Sequence, residues 1–206
     1  MSRSIIFLTF SFLSLCISAQ NEELNKQLEA LEMKNYSSGL NVDSLCKVVG
    51  KNLVNRLENS EITDADGIPL LKRLESEDQR INIYTFKYYS GGSMGMNSNA
   101  VIQWTKPDGS FGAYELFPAG KKGFEGVVAN FYSIQKLESN KDLYLLLGKE
   151  GYSGSMTGGI ALVVRISGNY LILDHPAFYK KSPLLFFNDG KSSSEYGCVA
   201  CIEYNQ

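Results

Sequence analysis

The sequence predicts an α+β fold that is mainly antiparallel β, and three observations lead to that prediction. Segments rich in Tyr, Phe, Val and Ile alternate apolar and polar positions, which is the pattern of half-buried strands. Turn-forming residues separate these segments at short intervals. Ahead of them, residues 20–60 repeat apolar positions at helical spacing. We therefore expect two N-terminal helices and a single β-rich domain over 20–206.

Each N-terminal helix is predicted from one apolar stripe. The first covers about 21–35, and the second begins near Asp43, a residue type that caps helices well. A helix with one apolar face must bury that face, so we expect the pair to pack on a sheet or on each other. The stripes consist of Leu24, Leu28 and Leu31 in the first helix and Leu45, Val49, Leu53 and Leu57 in the second.

The β-rich part contains two similar meanders, at 68–117 and 131–174. In both, Leu-Glu-Ser precedes a strand-like segment and Tyr-Ser-Gly follows it, and the two triplets recur at the same offset. Tight turns at 107–110 and 167–169 join the last two strands of each meander. Two tandem meander repeats of this kind predict a two-sheet sandwich or a partly open barrel.

Two further predictions concern individual strands. Residues 81–89 carry large side chains at both alternating sets of positions, which indicates a central strand covered on both faces. The C-terminal part, 184–206, is expected to form a strand pair joined by a turn at Asn188-Asp189-Gly190 and a Ser-rich loop.

Residues 1–19 have the pattern of a signal peptide. Arg3 supplies the positive start, Ile5 to Ile17 are almost all apolar, and Ala19 completes a small-residue cleavage site before Gln20. The apolar run is too short to span a membrane comfortably, and no second run of spanning length follows. We expect an exported protein, periplasmic or at the cell surface or secreted, with no membrane span in the mature chain.

Charge and metal-binding patterns limit the classes of partner. The formal net charge is −2 and no basic cluster stands out, so nucleic acid is a poor candidate partner. The acidic stretch 64–67 does not follow the EF-hand pattern, because Ile62 and Arg73 occupy its first and last ligand positions. We therefore predict no metal site and no cofactor.

The mature chain contains three cysteines, Cys46, Cys198 and Cys201. The last two form a C-x-x-C, a spacing that serves redox chemistry when it leads into a helix. Its flanks indicate a strand, where residues three apart point to opposite faces and cannot be bridged. The favoured interpretation is one or two buried thiols, or a disulfide from Cys46 to one of the pair.

Two loops rich in Gly, Ser and Met are the most distinctive candidate surface. Such loops combine adaptable polar contacts with apolar anchors, as binding loops often do. If the two meanders are related by approximate twofold symmetry, the loops could line one cleft. The alternative is that glycine-rich loops only connect strands at a sheet edge. The predicted ligand-binding residues are Tyr89, Ser90, Ser93, Met94, Tyr152, Ser155 and Met156.

The first of these loops also contains a G-x-S-x-G motif, with Ser93 at its centre. In hydrolases this motif joins a strand to a helix and presents the serine above the sheet. Here the following residues lead to another strand. The single histidine, His175, could complete a Ser–His pair, so a serine hydrolase using Ser93 and His175 is kept as an alternative.

Short segments of the chain resemble a family of exported, β-rich proteins of unknown function from Gram-negative bacteria. The resemblance covers roughly 80–174. It implies a β-rich exported domain and brings no activity, cofactor or catalytic residue with it. The segments are Ile83-Tyr84, Gly91-Gly92-Ser93-Met94, Gln103-Trp104, Tyr144-Leu145-Leu146 and Gly168-Asn169-Tyr170-Leu171.

The sequence thus favours a non-enzymatic binding or interaction domain. Its partner would be a small ligand, a glycan or a protein of the cell envelope. A structural or assembly protein of the envelope is the third possibility, beside the hydrolase.

Overall fold

A computed structural model describes most of the chain. The described residues are 19–32, 41–91, 95–117, 130–137, 142–153, 156–173 and 184–192. Within them, two helices and two antiparallel sheets form a layered structure whose sheets face each other and do not close into a barrel. The predicted α+β class is confirmed, in its sandwich form. The predicted signal peptide lies outside the described residues except for Ala19.

The elements follow one another in simple order. Helix α1 covers 19–32, helix α2 covers Val42–Leu57, and a 3₁₀ turn covers Asp64–Asp66. Sheet A consists of β1 (Lys72–Glu75), β2 (Ile81–Gly91), β3 (Gly95–Thr105) and β4 (Phe111–Glu115). Sheet B consists of β5 (Asn130–Lys136), β6 (Leu143–Ser153), β7 (Met156–Ser167), β8 (Tyr170–Ile172) and β9 (Leu184–Ser192).

Helix α2 begins slightly before the predicted start. The side chain of Asn41 accepts a hydrogen bond from the Ser44 backbone N–H at 3.1 Å and caps the helix. Asp43 lies inside the first turn, where a negative charge interacts favourably with the helix dipole. The prediction that Asp43 is the cap is therefore wrong, because the residue two positions earlier takes that role.

The two sheets repeat one layout. Each places a short strand, two long strands and a short strand in consecutive antiparallel order. The long hairpins end alike: Gly91 pairs with Gly95 in sheet A, and Ser153 pairs with Met156 in sheet B, each after a register shift. The predicted tandem meanders and the central position of β2 are thereby confirmed.

Strand β9 joins sheet B on the edge of β7 that β8 also uses. β8 pairs with residues 165–167 of β7, and β9 pairs with residues 156–162. β9 passes through 188–190, so the predicted turn there is wrong. The pairing of β9 with β7 is instead irregular there. Gly158 pairs with Asn188 and Met156 pairs with Ser192, so two positions along β7 match four positions along β9. The second predicted C-terminal strand lies outside the described residues.

Three apolar clusters hold the layers together. The first joins the helices to the outer face of sheet A, and the second lies between the two sheets. The third lies on the outer face of sheet B and comprises Leu145, Leu147, Ala161 and Val163. Successive side chains of β6 and β7 point alternately into the second and third clusters, because side chains of a strand alternate between its two faces. Both predicted packing partners of the helices, a sheet and each other, are observed.

Polar side chains of sheet A fix the C-terminal end of α2. The Gln103 amide donates to the carbonyls of Leu57 at 2.6 Å and Ser60 at 3.2 Å. The Tyr84 hydroxyl donates to Gln103 at 3.2 Å and accepts from the Ile62 backbone N–H at 3.2 Å. Burial raises the pKa of Tyr84 to about 12, so the hydroxyl stays protonated as a donor. This network places the helix end that forms one wall of the candidate site.

A second polar group joins the bases of the two long hairpins. Asp78, in the β1–β2 turn, accepts from Lys136 Nζ at 2.6 Å and from the Tyr144 hydroxyl at 2.8 Å. Arg80 pairs with Asp142 at 3.3 Å beside it. These contacts connect sheet A to sheet B at the end opposite the hairpin tips.

Candidate functional site

The described parts of the two predicted binding loops lie at the ends of the β2–β3 and β6–β7 hairpins. Ser90 and Tyr152 belong to β2 and β6, and Met156 begins β7. The loops therefore occupy equivalent places in the two sheets. The remaining predicted loop residues and the predicted histidine lie outside the described residues, namely Ser93, Met94, Ser155 and His175.

Tyr89 lies at the inner end of the first loop and is buried. Its side chain is 9% exposed, and its cross-strand partner is Met96. The neighbouring Tyr88 is buried in the cluster between the helices and sheet A. Strand β2 therefore continues past both tyrosines, and Tyr89 is a covered strand residue at the base of the tip.

A concave surface lies between α1 and α2. The helices run antiparallel, so that the start of α1 lies beside the end of α2. The groove has a volume of about 640 Å³, within the range typical of ligand sites. Its lining consists of Ala19, Gln20, Glu23, Leu24, Gln27, Asn52, Asn55, Arg56, Asn59 and Ser60.

Amide side chains give the groove a regular pattern. Three polar residues of α1, and three that begin in α2 and end in the turn after it, are spaced by three and then four positions, which places each set on one face: Gln20, Glu23 and Gln27, and Asn52, Asn55 and Asn59. Asn52 donates to Gln27 at 3.5 Å across the groove, so these two side chains lie opposite each other. From this contact and the common spacing we infer two further opposed pairs, Glu23 with Asn55 and Gln20 with Asn59.

Two of these pairs leave room for a ligand. The direct bond between Asn52 and Gln27 closes one end of the groove. Glu23 accepts from the Gln27 amide at 2.9 Å, and Asn59, just past the end of α2, donates to the Asn55 carbonyl at 2.7 Å on the same side of the groove. Since neither of these bonds crosses the groove, the two remaining pairs can direct hydrogen-bonding atoms to a bound molecule.

A buried guanidinium lies at the wall of the groove. The side chain of Arg56 is 13% exposed and contacts Asp66 at 3.3 Å. Its Nε and Nη1 atoms are buried and have no hydrogen-bond partner among the described residues. The Thr63 backbone N–H holds the pKa of Asp66 below its ordinary value against the effect of burial, with help from Asn21. Asp66 therefore remains charged and balances Arg56.

The chemistry of the groove is that of hydrogen bonding. An amide side chain offers two donors and an acceptor with two lone pairs, so it can bind hydroxyl and amide groups alike. The ionisable residues of the described lining are Glu23 and Arg56, and Asp66 already balances Arg56. Glu23 therefore leaves one negative charge in the groove, which is suited to a polar ligand that carries no negative charge.

Cys46 is a structural thiol. It is fully buried and free, in a polar cluster between α2 and sheet A. Burial raises the pKa of its thiol to about 12, and the Asn99 amide at 3.8 Å only partly opposes that effect. A protonated, inaccessible thiol is a poor nucleophile. The buried-thiol interpretation fits Cys46, and the C-x-x-C lies outside the described residues.

Glu115 lies in the same cluster. Burial raises the pKa of its carboxyl, while the Asn99 amide donates to it and lowers the pKa again in part. Gly50 of α2 allows this approach, because a Cβ at that position would lie 2.5 Å from the carboxylate. The helical glycine is therefore explained by a close contact with β4.

No protein-family model, curated protein or solved structure matches this chain. The resemblance to exported β-rich proteins thus remains a prediction from short segments. Among the described helices, none is both long enough and apolar enough to cross a membrane.

Proposed function

We propose that this chain is an exported, non-enzymatic binding domain whose ligand occupies the groove between α1 and α2. The observation that carries the proposal is the pair of facing polar rows, which meet at the Gln27–Asn52 contact. Export is supported by the signal-peptide pattern of residues 1–19. The polar network under the end of α2 supports a preformed site, since it holds one wall rigidly.

The lining favours a neutral ligand rich in hydroxyl or amide groups. Residues 20–27 of α1 extend for about 10 Å at 1.5 Å per residue. This length suits a short glycan or about three residues of extended peptide at roughly 3.3 Å each. The amide groups of Asn55 and Gln20 would bind the ligand directly, and Leu24 would form part of the floor.

The test compares binding by matched variants. A panel of neutral oligosaccharides and short uncharged peptides is titrated by isothermal calorimetry into the purified protein. Glu23→Ala and Asn55→Ala should each weaken binding of the selected compound roughly fivefold to tenfold, because each removes one hydrogen bond. Glu29→Ala is the control, since Glu29 is exposed on the same helix and does not line the groove.

Two results would count against the groove. Equal affinity of the Glu23, Asn55 and Glu29 variants would place the ligand elsewhere on the molecule. The absence of binding by both classes of compound would remove the proposed ligand chemistry.

The hairpin tips are a second candidate surface. Their equivalent positions in the two sheets favour this candidate. Simultaneous replacement of Ser93, Met94, Ser155 and Met156 should abolish binding at the tips without unfolding the domain. Loss of binding in this variant, with normal binding by Glu23→Ala, would assign the ligand to the tips.

Two alternatives have distinct signatures. A hydrolase would show labelling of Ser93 by a fluorophosphonate probe, and the label would disappear in His175→Ala. An assembly protein would instead be recovered in a stable complex from the native envelope. Labelling of Ser93 would overturn the non-enzymatic part of the proposal. A stable envelope complex would overturn the ligand-binding part.

A further inference from the structure

A small cavity lies where the end of α1, the start of β5 and one edge of sheet A meet. Its volume is about 180 Å³. It shares no lining residue with the groove between the helices, so it is a separate candidate site. The lining consists of Glu32, Pro69, Leu70, Lys72, Thr85, Lys87 and Asn130.

Two lysines approach each other at this cavity. Lys72 pairs directly with Thr85 across β1 and β2, and Lys87 follows Thr85 by two residues on the same face. They are therefore diagonal neighbours, with Cα atoms about 7 Å apart in such an arrangement. Both side chains are exposed, and like charges so close repel each other unless an anion lies between them.

The described residues supply little compensation for this charge. Neither lysine forms an ion pair or a side-chain hydrogen bond with another described residue. Glu32 is the only carboxylate in the described lining, and it too has no such partner. The three side chains leave one net positive charge at the cavity, which a ligand with one negative charge would neutralise.

The wall of the cavity is suited to an apolar group. Pro69 and Leu70 contribute apolar surface, and Thr85 is buried at 6% exposure. Lysine side chains characteristically lay their methylene stems along apolar surface and keep the ammonium group in water. By this behaviour we expect the positive charges at the mouth of the cavity and apolar atoms inside it.

We propose that this cavity binds a small organic carboxylate with a short apolar chain. The carboxylate lies between the ammonium groups of Lys72 and Lys87, and the chain enters beside Leu70. The cavity has the volume of about six liquid water molecules at roughly 30 Å³ each, which suits a chain of about four carbons. Butyrate is the probe that this geometry specifies.

The test measures binding of sodium butyrate to the purified protein by calorimetry at low ionic strength. We expect saturable binding that weakens as salt screens the ammonium groups. Lys72→Met and Lys87→Met should each weaken binding roughly tenfold, since each removes a charge-assisted hydrogen bond and keeps most of the apolar stem. Lys51→Met, at an exposed lysine of α2 away from the cavity, should bind as the wild type does.

A substitution at Glu32 should change the affinity for butyrate in the opposite direction. Its carboxylate repels the bound carboxylate, so Glu32→Gln should tighten butyrate binding about twofold to threefold. Unchanged or weaker binding by this variant would contradict the proposed placement of the ligand's charge. Melting temperatures of all four variants serve as the control for folding.

Two further compounds test the ligand class. Butyramide has nearly the same shape without the charge, and inorganic phosphate has charge without an apolar chain. Both should bind at least tenfold more weakly than butyrate. Equal binding of butyramide would overturn the role of the lysines, equal binding of phosphate would overturn the role of the apolar wall, and no saturable butyrate binding would overturn the site.

Discussion

Sheets A and B have the same strand order but differ in the chemistry of their outer faces. In sheet A, the face under the helices includes buried polar side chains such as Asn82, Asn99 and Gln103. In sheet B, the described outer cluster is apolar. Hydrogen bonds are directional whereas apolar burial is not, so only the polar face determines where a covering element must lie.

This difference shows how one of two similar sheets can support a candidate site that the other lacks. The helices on sheet A are fixed at the C-terminal end of α2 by Gln103 and Tyr84, and the groove depends on that position. Sheet A thus supports the helices, and its polar side chains fix their orientation. Sheet B contributes the other side of the apolar cluster between the two sheets.

The largest effects are expected from cavities on the two outer faces. Leu53 of α2 and Leu147 of β6 are each almost fully buried, one in the helix-side cluster and one on the outer face of sheet B. Leu53→Ala and Leu147→Ala should each lower the free energy of unfolding by about 2–5 kcal/mol in urea titrations. Only Leu53→Ala should also weaken ligand binding in the groove. Equal loss of binding in both variants would contradict the expectation that only the helix-covered face of sheet A supports the groove.

The next largest effect is expected at Gln103. Gln103→Leu removes the partner of the Leu57 carbonyl and of the Tyr84 hydroxyl in a buried place. We expect a loss of about 2–3 kcal/mol in the free energy of unfolding, because unpartnered buried groups are costly. Hydrogen exchange should become faster at the end of α2 and stay unchanged in β6. A uniform increase across both sheets would contradict a local role.

Asp78 tests the contact between the sheets by its pH dependence. Burial acts to raise the pKa of Asp78, but hydrogen bonds from Lys136, Tyr144 and Ser76 outweigh it and lower the pKa to about 2. A carboxyl with a lowered pKa stabilises the fold above its unfolded value near 4, and that contribution is lost as the pH falls toward 2.

Asp78→Asn should therefore lower the free energy of unfolding by about 1–2 kcal/mol at pH 7, allowing for partial solvent screening. The difference from wild type should shrink as the pH falls from about 5 to about 2. Chemical denaturation across this range measures it, and a difference independent of pH would argue against the ion pair.

The smallest effect, of opposite sign, is expected at Glu115 beneath α2. Its carboxyl pKa is raised by burial, so protonation favours the folded state. That stabilisation is full below the unfolded pKa near 4.5 and is lost as the pH rises through the higher folded pKa. Glu115→Gln should then gain less than about 1 kcal/mol at pH 7 and nothing at pH 4. A loss at pH 7 would contradict the burial cost.

The sequence was most informative about the β layout. Alternation and turn residues predicted both meanders because strand period and turn chemistry are local properties. The turn predicted at Asn188-Asp189-Gly190 failed since the pairing of β9 with β7 outweighs local preference there. The cap at Asn41 was missed because Asp43, two positions later, has an equally good capping side chain.

The groove was not predicted from the sequence. Its polar residues face solvent on two helices, and such positions have no periodicity of burial to distinguish them. The available signal was the shared spacing of three and four positions in 20–27 and 52–59, which gains meaning only once the helices are known to be antiparallel neighbours. Tyr89 was predicted as the last residue of its strand and as a ligand-binding residue, whereas β2 continues to Gly91 and Tyr89 is buried.

The shared edge of β7 has a consequence for solubility. β8 and β9 lie end to end along that edge, and β9 covers the part that contains Ile160, Ala161 and Leu162. Left uncovered, a row of free N–H and C=O groups beside apolar side chains would be a template for a strand from another molecule. The strand at 184–192 covers this edge, and a fragment that ends at Ile172 should therefore self-associate more readily than the whole chain.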